Sequence, residues 1–389
     1  MSACIVGWSH TRFGKSSAPD IEALVEEVAG KAIEHAGLSP QDIDAVVLGV
    51  FNNGFSRQDF SASMVSLAVP ELRHVPAVRT ENACATGSSA IRTGLQAIES
   101  GRARNVLVIG AEKMTATPTA EVGDILLGAS YRKEEADVDG GFAGVFANIA
   151  QAYFQKYGDR SDALARIAAK NHANGLRNPY AHMQKPFDFD FCSTVSEKNP
   201  IVAGPLRRTD CSLISDGAAA LVLSDADAAR ATAPRAIGFR AACQVNDFLP
   251  LSRRSNTFFE GAALAWQQAC EEAGVSVWDL SFVETHDCFT IAELIEYEAM
   301  GLAEPGQGAS IIDEGISTFE GRLPVNPSGG LKSKGHPIGA TGVSQHVMAA
   351  MQLAGEAGDM QLDAPELAGV FNMGGAAVAN YVSILERVR

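Results

Sequence analysis

The sequence predicts an α/β protein whose buried strands are covered by helices. Six short runs are mainly apolar and rich in β-branched residues, which is typical of strands that are buried on both faces. These runs lie at residues 45–51, 105–111, 219–226, 280–287, 367–375 and 379–386. Between several of them apolar residues recur every three or four positions, as they do on one face of a helix.

Three helices are predicted with particular clarity. The stretches 21–37 and 257–274 each carry an apolar stripe that ends near glycine. A third helix follows Cys84, and its stripe is formed by Ile91, Leu95 and Ile98. Glycine commonly ends helices, and Gly101 stands just after the last turn of this one.

The chain also predicts two similar halves. At 389 residues and 40.9 kDa it exceeds the usual size of one hydrophobic core. The pattern AG-(L/V)-S-x-x-D-(I/L) leads from a helix into a strand twice, at 36–43 and at 273–280. We therefore place the first half at 1–118 and 210–232 and the second at 233–389. Residues 119–209, rich in turns, aromatics and charge, are predicted to form an inserted lid or binding domain.

Composition and charge exclude several classes of protein. With 46% apolar and 20% charged residues the chain is too apolar for a disordered protein, and its net charge of −15 argues against a nucleic-acid or anionic-membrane partner. No apolar window is long enough for a membrane span, and the opening segment does not resemble a secretion signal. The cysteines are scattered without a C-x-x-C pair, which indicates reduced thiols. A cytosolic or matrix-like location is therefore expected, and we predict the cytoplasm. The cysteines are residues 4, 84, 192, 211, 243, 270 and 288.

The stretch ENACATGSSA places Cys84 among small residues at a predicted turn from strand to helix. Small neighbours let backbone approach a ligand closely, and the positive end of a helix dipole favours the nucleophilic thiolate. A cysteine buried in a tightly packed helix explains the same stretch equally well. Cys84 by itself therefore leaves a nucleophile and a packing residue as alternatives.

The stretch NPSGGLKSKGHPIGATG contains His336, followed by a proline that suits the start of a helix. His336 stands where a phosphate-binding loop requires lysine, which argues against a nucleotide hydrolase. A histidine at or near a helix N-cap tends to stay neutral, as a general base must. A histidine that merely caps a turn is the alternative.

The stretch THDCFT places His286 and Cys288 at another predicted passage from strand to helix. A metal site needs more ligands than His-x-Cys, and no third ligand is evident, so we predict no metal. A thiol can give and take a proton near neutral pH, and an imidazole beside it can donate a hydrogen bond. Near the end of the chain, Gly374 and Gly375 form a loop that could aim backbone N–H groups at an oxyanion or could simply be a tight turn.

Together these motifs resemble those of the thiolases. ENACATGSSA, SDGAAA, HDCF, GHP and a final glycine-rich strand occur in the family's order across nearly the whole chain. HDCF resembles the sterol-carrier-protein type of thiolase in particular. The resemblance implies a five-layer α-β-α-β-α fold with mixed sheets, two similar halves and a loop domain, assembled as a homodimer or homotetramer.

The resemblance also implies a role for each site residue. Cys84 would carry the acyl group, His336 would activate it, and His286 would help to form an oxyanion hole. Cys288 would move the proton at the α-carbon of the substrate. A second oxyanion hole would use the N–H groups of Cys84 and of Gly374 or Gly375. Many thiolases carry a C-x-G motif before the last strand, where this chain has Asn372, Met373 and Gly374; the cysteine of HDCF would replace it.

The implied reaction is thiolytic cleavage of a 3-ketoacyl-CoA by CoA, as in fatty acid β-oxidation, or the reverse Claisen condensation, through an acyl-cysteine. CoA is then a substrate, and no cofactor is expected. Because CoA is anionic and the chain is acidic, local cations must hold it. Candidates by position, each with an ordinary surface charge as its alternative, are Lys185, Arg207, Arg208, Lys332 and Lys334.

Two other functions remain as alternatives. A related condensing enzyme would usually have Cys, His and Asn and lack a second catalytic thiol, which HDCF with GHP argues against. A non-catalytic acyl-CoA-binding subunit, or an aldolase-type relative that acts with a small accessory protein, would be favoured by losses in HDCF or GHP. Neither motif shows such a loss.

Overall fold

The computed structural model describes residues 3–389, with the backbone alone at residues 119 and 120. The strands, numbered along the chain, are β1 (Ala3–His10), β2 (Ala45–Gly49), β3 (Ala77–Thr80), β4 (Asn105–Glu112), β5 (Ile201–Ala203), β6 (Leu206–Arg207), β7 (Gly217–Asp225), β8 (Ile237–Asn246), β9 (Phe282–Glu284), β10 (Leu367–Gly374) and β11 (Ala379–Arg387). All six predicted strands are present within a few residues of their predicted bounds.

The helices include the three predicted from periodicity and the one predicted to begin near Pro337. They are α1 (Ile21–His35), α2 (Val65–Ala68), α3 (Thr86–Glu99), α4 (Thr119–Leu126), α5 (Arg132–Glu135), α6 (Phe142–Tyr157), α7 (Ser161–Gly175), α8 (Phe189–Ser193), α9 (Ala226–Thr232), α10 (Glu260–Ala273), α11 (Thr290–Ala299), α12 (Ala309–Asp313), α13 (Gly330–Lys334) and α14 (Ile338–Ala354).

Nine strands form one mixed sheet in the order β3-β2-β4-β7-β1-β8-β11-β10-β9. The halves join where β1 pairs with β8. Outwards from this join the first half has β1, β7, β4 and β2, and the second has β8, β11, β10 and β9. In each half the first two pairs are antiparallel and the third is parallel. The strand pairing confirms the predicted duplication.

The repeated sequence pattern forms the same turn in both halves. Ser39 and Asp42 make a capping box before β2, with the Ser39 N–H and hydroxyl each donating to the carboxylate at 2.8 Å. Ser276 and Asp279 make the same contacts before β9, at 2.7 Å each. The pattern therefore encodes a short turn that ends one helix and directs the chain into a strand.

The helices α3 and α14 pack together in the centre, against buried strand residues of both halves. The opposite faces are covered by α1 in the first half and by α10 in the second. The layers are therefore α1, the strands of the first half, α3 with α14, the strands of the second half, and α10, which are the predicted five. The central helices cross very closely. A Cβ atom on Gly87 would lie 2.6 Å from the Val343 nitrogen, and one on Gly342 would lie 2.3 Å from the Ser88 nitrogen. The small residues after Cys84 thus serve this crossing.

Residues 119–209 contain α4 to α8 and the hairpin of β5 and β6. Apolar residues of α6 and α7 share a core with α11 of the second half, among them Phe146, Leu164 and Ile295. This insertion therefore packs beside the segment that carries His286 and Cys288. Within residues 3–389, none of the helices has the length and apolarity that crossing a membrane requires.

Candidate active site

Cys84 lies in a tight turn between β3 and α3. Ala83 has a φ of 49°, in the left-handed region that costs energy for a residue other than glycine. The turn is held by Thr86, whose hydroxyl donates to the Ala83 carbonyl at 2.6 Å and accepts from the Asn82 N–H at 2.8 Å. Backbone strain that is held in this way is common at functional sites.

Burial keeps the thiol of Cys84 neutral. The residue is 4% exposed, and desolvation raises its pKa to about 12, with the Glu112 carboxylate adding to the rise. The expectation that the helix dipole favours a thiolate here is wrong. The helix α3 begins two residues after Cys84, and the loss of water around the sulfur outweighs the hydrogen bond from the Gly375 N–H.

Thr341 fixes the tautomer of His336. The Nδ1 atom of His336 lies 2.7 Å from the Thr341 hydroxyl, which donates its own proton to the Pro337 carbonyl at 3.0 Å. The hydroxyl oxygen must then accept from Nδ1–H, so Nε2 of His336 keeps a free lone pair. Burial and the nearby charge of Lys334 lower the pKa of His336 to about 3. His336 is therefore a neutral base just before α14, near the predicted position.

His286 follows β9 and is fully buried. Its Nδ1 atom lies 2.8 Å from the Asn372 side-chain nitrogen, while its Nε2 atom has no hydrogen-bond partner among the described residues. The ring stands edge-on to that of His336, with centroids 5.1 Å apart. Burial lowers the pKa of His286 well below 6.5. A buried, unpartnered ring nitrogen beside a nucleophile is a site at which a substrate can bind.

These three residues converge from both halves of the chain. The sulfur of Cys84 and a ring nitrogen of each of His286 and His336 lie within 4.8 Å of one another. Cys84 stands before α3 and His336 before α14, the two helices that cross at the centre. Each of the three residues was identified from the sequence. The sequence did not reveal that Cys84 lies close enough to His286 and His336 to be a third ligand in a metal site. The arrangement places a nucleophile beside a base and a second polar ring.

Cys288 lies beside this group. It is 3% exposed, and its N–H donates to the His286 carbonyl at 2.9 Å. Burial raises the pKa of its thiol well above 9.0, and negative charge on Cys84 would raise this pKa further. Asp287 points elsewhere and accepts from the Leu331 N–H at 2.6 Å. The backbone contact with His286 thus places Cys288 next to one of the three converging residues.

Asn372 is a further site residue. It lies in β10 and is fully buried, and its side-chain nitrogen also lies 3.1 Å from the carbonyl oxygen of Cys84. The Ser88 hydroxyl donates to its oxygen at 2.8 Å. In the sequence, Asn372 stands out only as a departure from the C-x-G motif. One polar residue in the apolar run GVFNMGG was the signal that could have identified it.

The paired glycines lie against the Cys84 turn. A Cβ atom on Gly374 would lie 2.4 Å from the Asn82 carbonyl oxygen, so this position requires glycine. Gly375 has a φ of 62°, and its N–H donates to the Cys84 sulfur. Of the two glycines, Gly375 therefore has the backbone donor that is aimed at the reacting atom.

The five candidate cations divide into two groups. Lys185 and Arg208 are exposed, as a CoA phosphate requires. The other three are buried: Arg207 pairs with Asp210, the Lys332 ammonium donates to a backbone carbonyl at 2.7 Å, and the Lys334 nitrogen has no partner among the described residues. Their burial leaves them unable to reach a phosphate in solvent.

Two family models cover most of the chain. The model described as "Thiolase, N-terminal domain" matches residues 3–227, and the one described as "Thiolase C-terminal domain-like" matches residues 244–387. The gap between the two matches contains the start of β8, the first strand of the second half.

Individual relatives agree with these matches. The chain is 35% identical over 389 residues to an acetyl-CoA acetyltransferase of Methanothermobacter thermautotrophicus, covering 98% of this chain and 99% of that protein. It is 33% identical over 397 residues to human sterol carrier protein 2, covering 96% and 70% respectively. A chain of the solved Ltp2-ChsH2(DUF35) aldolase is similar in fold, with a TM-score of 0.84, 23% identity and coverage of 100% and 98%.

Proposed function

The chain belongs to the thiolase family, a family of acyltransferases, and we propose that it transfers acyl groups between CoA thioesters through a thioester on Cys84. The degradative substrates are a 3-ketoacyl-CoA and free CoA, and the reverse reaction is a Claisen condensation. The observation that carries the proposal is the convergence of Cys84 with the neutral base His336 and the unpartnered ring nitrogen of His286.

The first step forms the acyl-enzyme. The thiol proton of Cys84 moves to Nε2 of His336 while the sulfur attacks the keto carbon of the substrate. The keto oxygen becomes an oxyanion, to which the N–H groups of Cys84 and Gly375 can donate. Because the neutral ring of His336 carries its proton on Nδ1, its Nε2 atom is free to accept the thiol proton of Cys84.

The second step breaks the carbon–carbon bond. The oxyanion collapses to an acyl thioester on Cys84, and the electron pair moves onto the thioester carbonyl of the leaving group as an enolate. An N–H at Nε2 of His286 stabilises this enolate, and Cys288 donates its proton to the α-carbon.

CoA then transfers its thiol proton to the Cys288 thiolate and attacks the acyl thioester. Cys84 leaves and recovers its proton from His336.

The proposal is tested with purified protein, free CoA, acetoacetyl-CoA and longer 3-ketoacyl-CoAs. Loss of the ketoacyl thioester is followed optically, and the acyl-enzyme is trapped by acid quench and mass spectrometry. We expect Cys84→Ala to abolish acylation, and Cys288→Ala to acylate from acyl-CoA but not to condense. Cys192→Ala is the matched control because this thiol is also buried but lies in another cluster. Folded protein without turnover at any chain length, or equal acylation of Cys84→Ala, contradicts the proposal.

A carbon–carbon lyase that acts with a small partner protein is the second candidate, because the aldolase named above has a similar fold. The presence of both Cys84 and Cys288 favours acyl transfer. The same assay separates the two, since a lyase would cleave its substrate without forming an acyl-cysteine and without consuming CoA.

We further propose a homodimer or homotetramer in the cytoplasm that acts in fatty acid β-oxidation. The edge strand β3 supports assembly, because it leaves one side unpaired and exposes Val78. All seven cysteines are free thiols, which supports a reducing compartment. Light scattering of the purified protein measures the oligomer, and a monomer contradicts that part of the proposal.

A further inference from the structure

The side chain of Asn372 links the nucleophile to His286. Its nitrogen lies 3.1 Å from the carbonyl oxygen of Cys84 and 2.8 Å from Nδ1 of His286, and its oxygen accepts from the Ser88 hydroxyl at 2.8 Å. Asn372 and His286 are both fully buried, so no water competes for these contacts. Each of the three polar atoms around the amide constrains how it can be oriented.

The contacts determine where the proton of His286 lies. A carbonyl oxygen can only accept, so the amide group that faces Cys84 must be the NH2 and not the oxygen. The second proton of the same NH2 then points at Nδ1 of His286, which must accept it. A neutral imidazole that accepts at Nδ1 carries its proton on Nε2. The unpartnered Nε2 atom of His286 is therefore an N–H donor.

We propose that Asn372 is a positioning residue that holds His286 as an Nε2–H donor, and that it thereby prevents Cys84, His286 and His336 from binding a thiophilic cation such as Zn2+. The positioning role rests on the proposed function, because the Nε2–H group of His286 supplies the hydrogen bond that the enolate needs. The exclusion of the cation does not depend on the reaction.

The exclusion of metal follows from the ligand set. One thiolate and two imidazoles are a set that zinc binds, with bonds of about 2.0–2.3 Å, and the three atoms would have to close by roughly 1 Å. Nε2 of His336 already has a lone pair for such a bond. Nε2 of His286 has none, and moving its proton to Nδ1 would set that N–H against the Asn372 NH2. Turning the side-chain amide of Asn372 over would then set the amide oxygen against the carbonyl oxygen of Cys84.

A carboxylate at position 372 would have the opposite effect. It would accept from Nδ1–H of His286 and leave a lone pair on Nε2, which is how a carboxylate commonly orients a zinc-binding histidine. The substitution Asn372→Asp changes the size of the side chain very little. One carboxylate oxygen would also face the Cys84 carbonyl, as in the turned amide, but the carboxylate has no N–H with which to keep Nδ1 of His286 as an acceptor. The substitution should therefore convert the donor into a ligand and complete a site with Cys84 and His336.

The first experiment titrates the whole protein with Co2+, whose bond to a thiolate gives a charge-transfer band, and then with Zn2+ in competition with a chelator. We expect Asn372→Asp to bind Zn2+ about 10–100-fold more tightly than the unmodified protein, the usual effect of a residue that orients a metal ligand. The thiolate band should disappear in the double variant Asn372→Asp with Cys84→Ala. Equal affinity of Asn372→Asp and unmodified protein, with both shown to be folded, overturns the proposal.

The second experiment reads the tautomer in the unmodified protein and uses a variant only to assign the signal. In protein labelled with 15N-histidine, long-range proton–nitrogen correlations report which ring nitrogen carries the proton, and His286→Asn assigns the signal. We expect the Nε2–H form for His286. His346 is the internal reference, because its Nδ1 lies 2.7 Å from the Gly342 carbonyl and must be protonated. An Nδ1–H form of His286 refutes the proposal, whether or not the protein turns over 3-ketoacyl-CoA.

Discussion

The hydroxyl of Thr341 should control the base strength of the site, and Thr341→Val tests this. The substitution removes the only acceptor that the described residues offer to the buried Nδ1–H of His336, while nearly keeping the shape of the side chain. An unsatisfied buried donor costs about 1–3 kcal/mol. The ring avoids this cost by moving its proton to Nε2, where the lone pair is needed to deprotonate Cys84.

The expected loss follows from that cost. Returning the ring to the basic tautomer requires about 1–3 kcal/mol, and about 1.4 kcal/mol corresponds to a tenfold change in rate. The rate of acylation should thus fall by about 5- to 150-fold. Rapid acid quench followed by mass spectrometry of the Cys84 peptide measures this step directly. It separates acylation from the later condensation.

Thr341→Ser is the matched control, because it keeps the hydroxyl and loses only a methyl group. The serine variant should acylate within about twofold of the unmodified protein. If the valine variant acylates as fast as the serine variant, the tautomer of His336 is not set by this hydroxyl. If both variants slow equally, disturbed packing at this position and not the loss of the hydrogen bond is the cause.

Three other predictions follow from contacts, titration and exposure. Gly87→Ala should destabilise the fold by about 1–3 kcal/mol in chemical denaturation, since its Cβ would lie 2.6 Å from a backbone nitrogen of α14, whereas Gly30→Ala, with nothing within 4 Å, should be neutral or stabilising. Burial raises the pKa of Glu112 from 4.5 to about 7, so its contribution to stability is complete below pH 4.5 and disappears as the pH rises through 7. The free energy of unfolding of the unmodified protein relative to Glu112→Gln should therefore fall by about 3 kcal/mol over this range, and a constant difference contradicts the assignment. Lys185→Ala and Arg208→Ala should each raise KM for CoA with kcat unchanged, and an unaltered KM for both would place the phosphate site elsewhere.

Periodicity and turn chemistry predict most of the fold, because they act over a few residues. The apolar runs became strands, and the paired Ser39 and Ser276 patterns became identical capping turns. The joining strands β1 and β8 were not predicted from such runs. Gly7 interrupts the first, and polar residues such as Arg240 and Gln244 interrupt the second, so neither stands out as a continuous apolar segment.

The site was predictable in its residue types but not in its electrostatics. The ends of predicted strands and the starts of predicted helices identified Cys84, His286 and His336 one at a time. The pKa of Cys84 depends on how much water the folded chain removes, and the contact between Asn372 and Cys84 joins positions 288 residues apart. Neither is encoded in local sequence. The expectation of a thiolate was therefore wrong in sign, although the choice of residue led to the centre of the site.

The neutrality of the resting site has a consequence for how the reaction begins. With burial raising the pKa of Cys84 to about 12 and lowering that of His336 to about 3, a separated thiolate and imidazolium are costly without substrate. A substrate carbonyl changes this, because the negative charge then moves on to an oxygen that faces N–H donors. Thiol ionisation and attack are thus linked, and the cysteine is activated only when a carbonyl occupies the site. Because oxidants react with thiolates and not with neutral thiols, the burial that opposes ionisation also protects the nucleophile between turnovers.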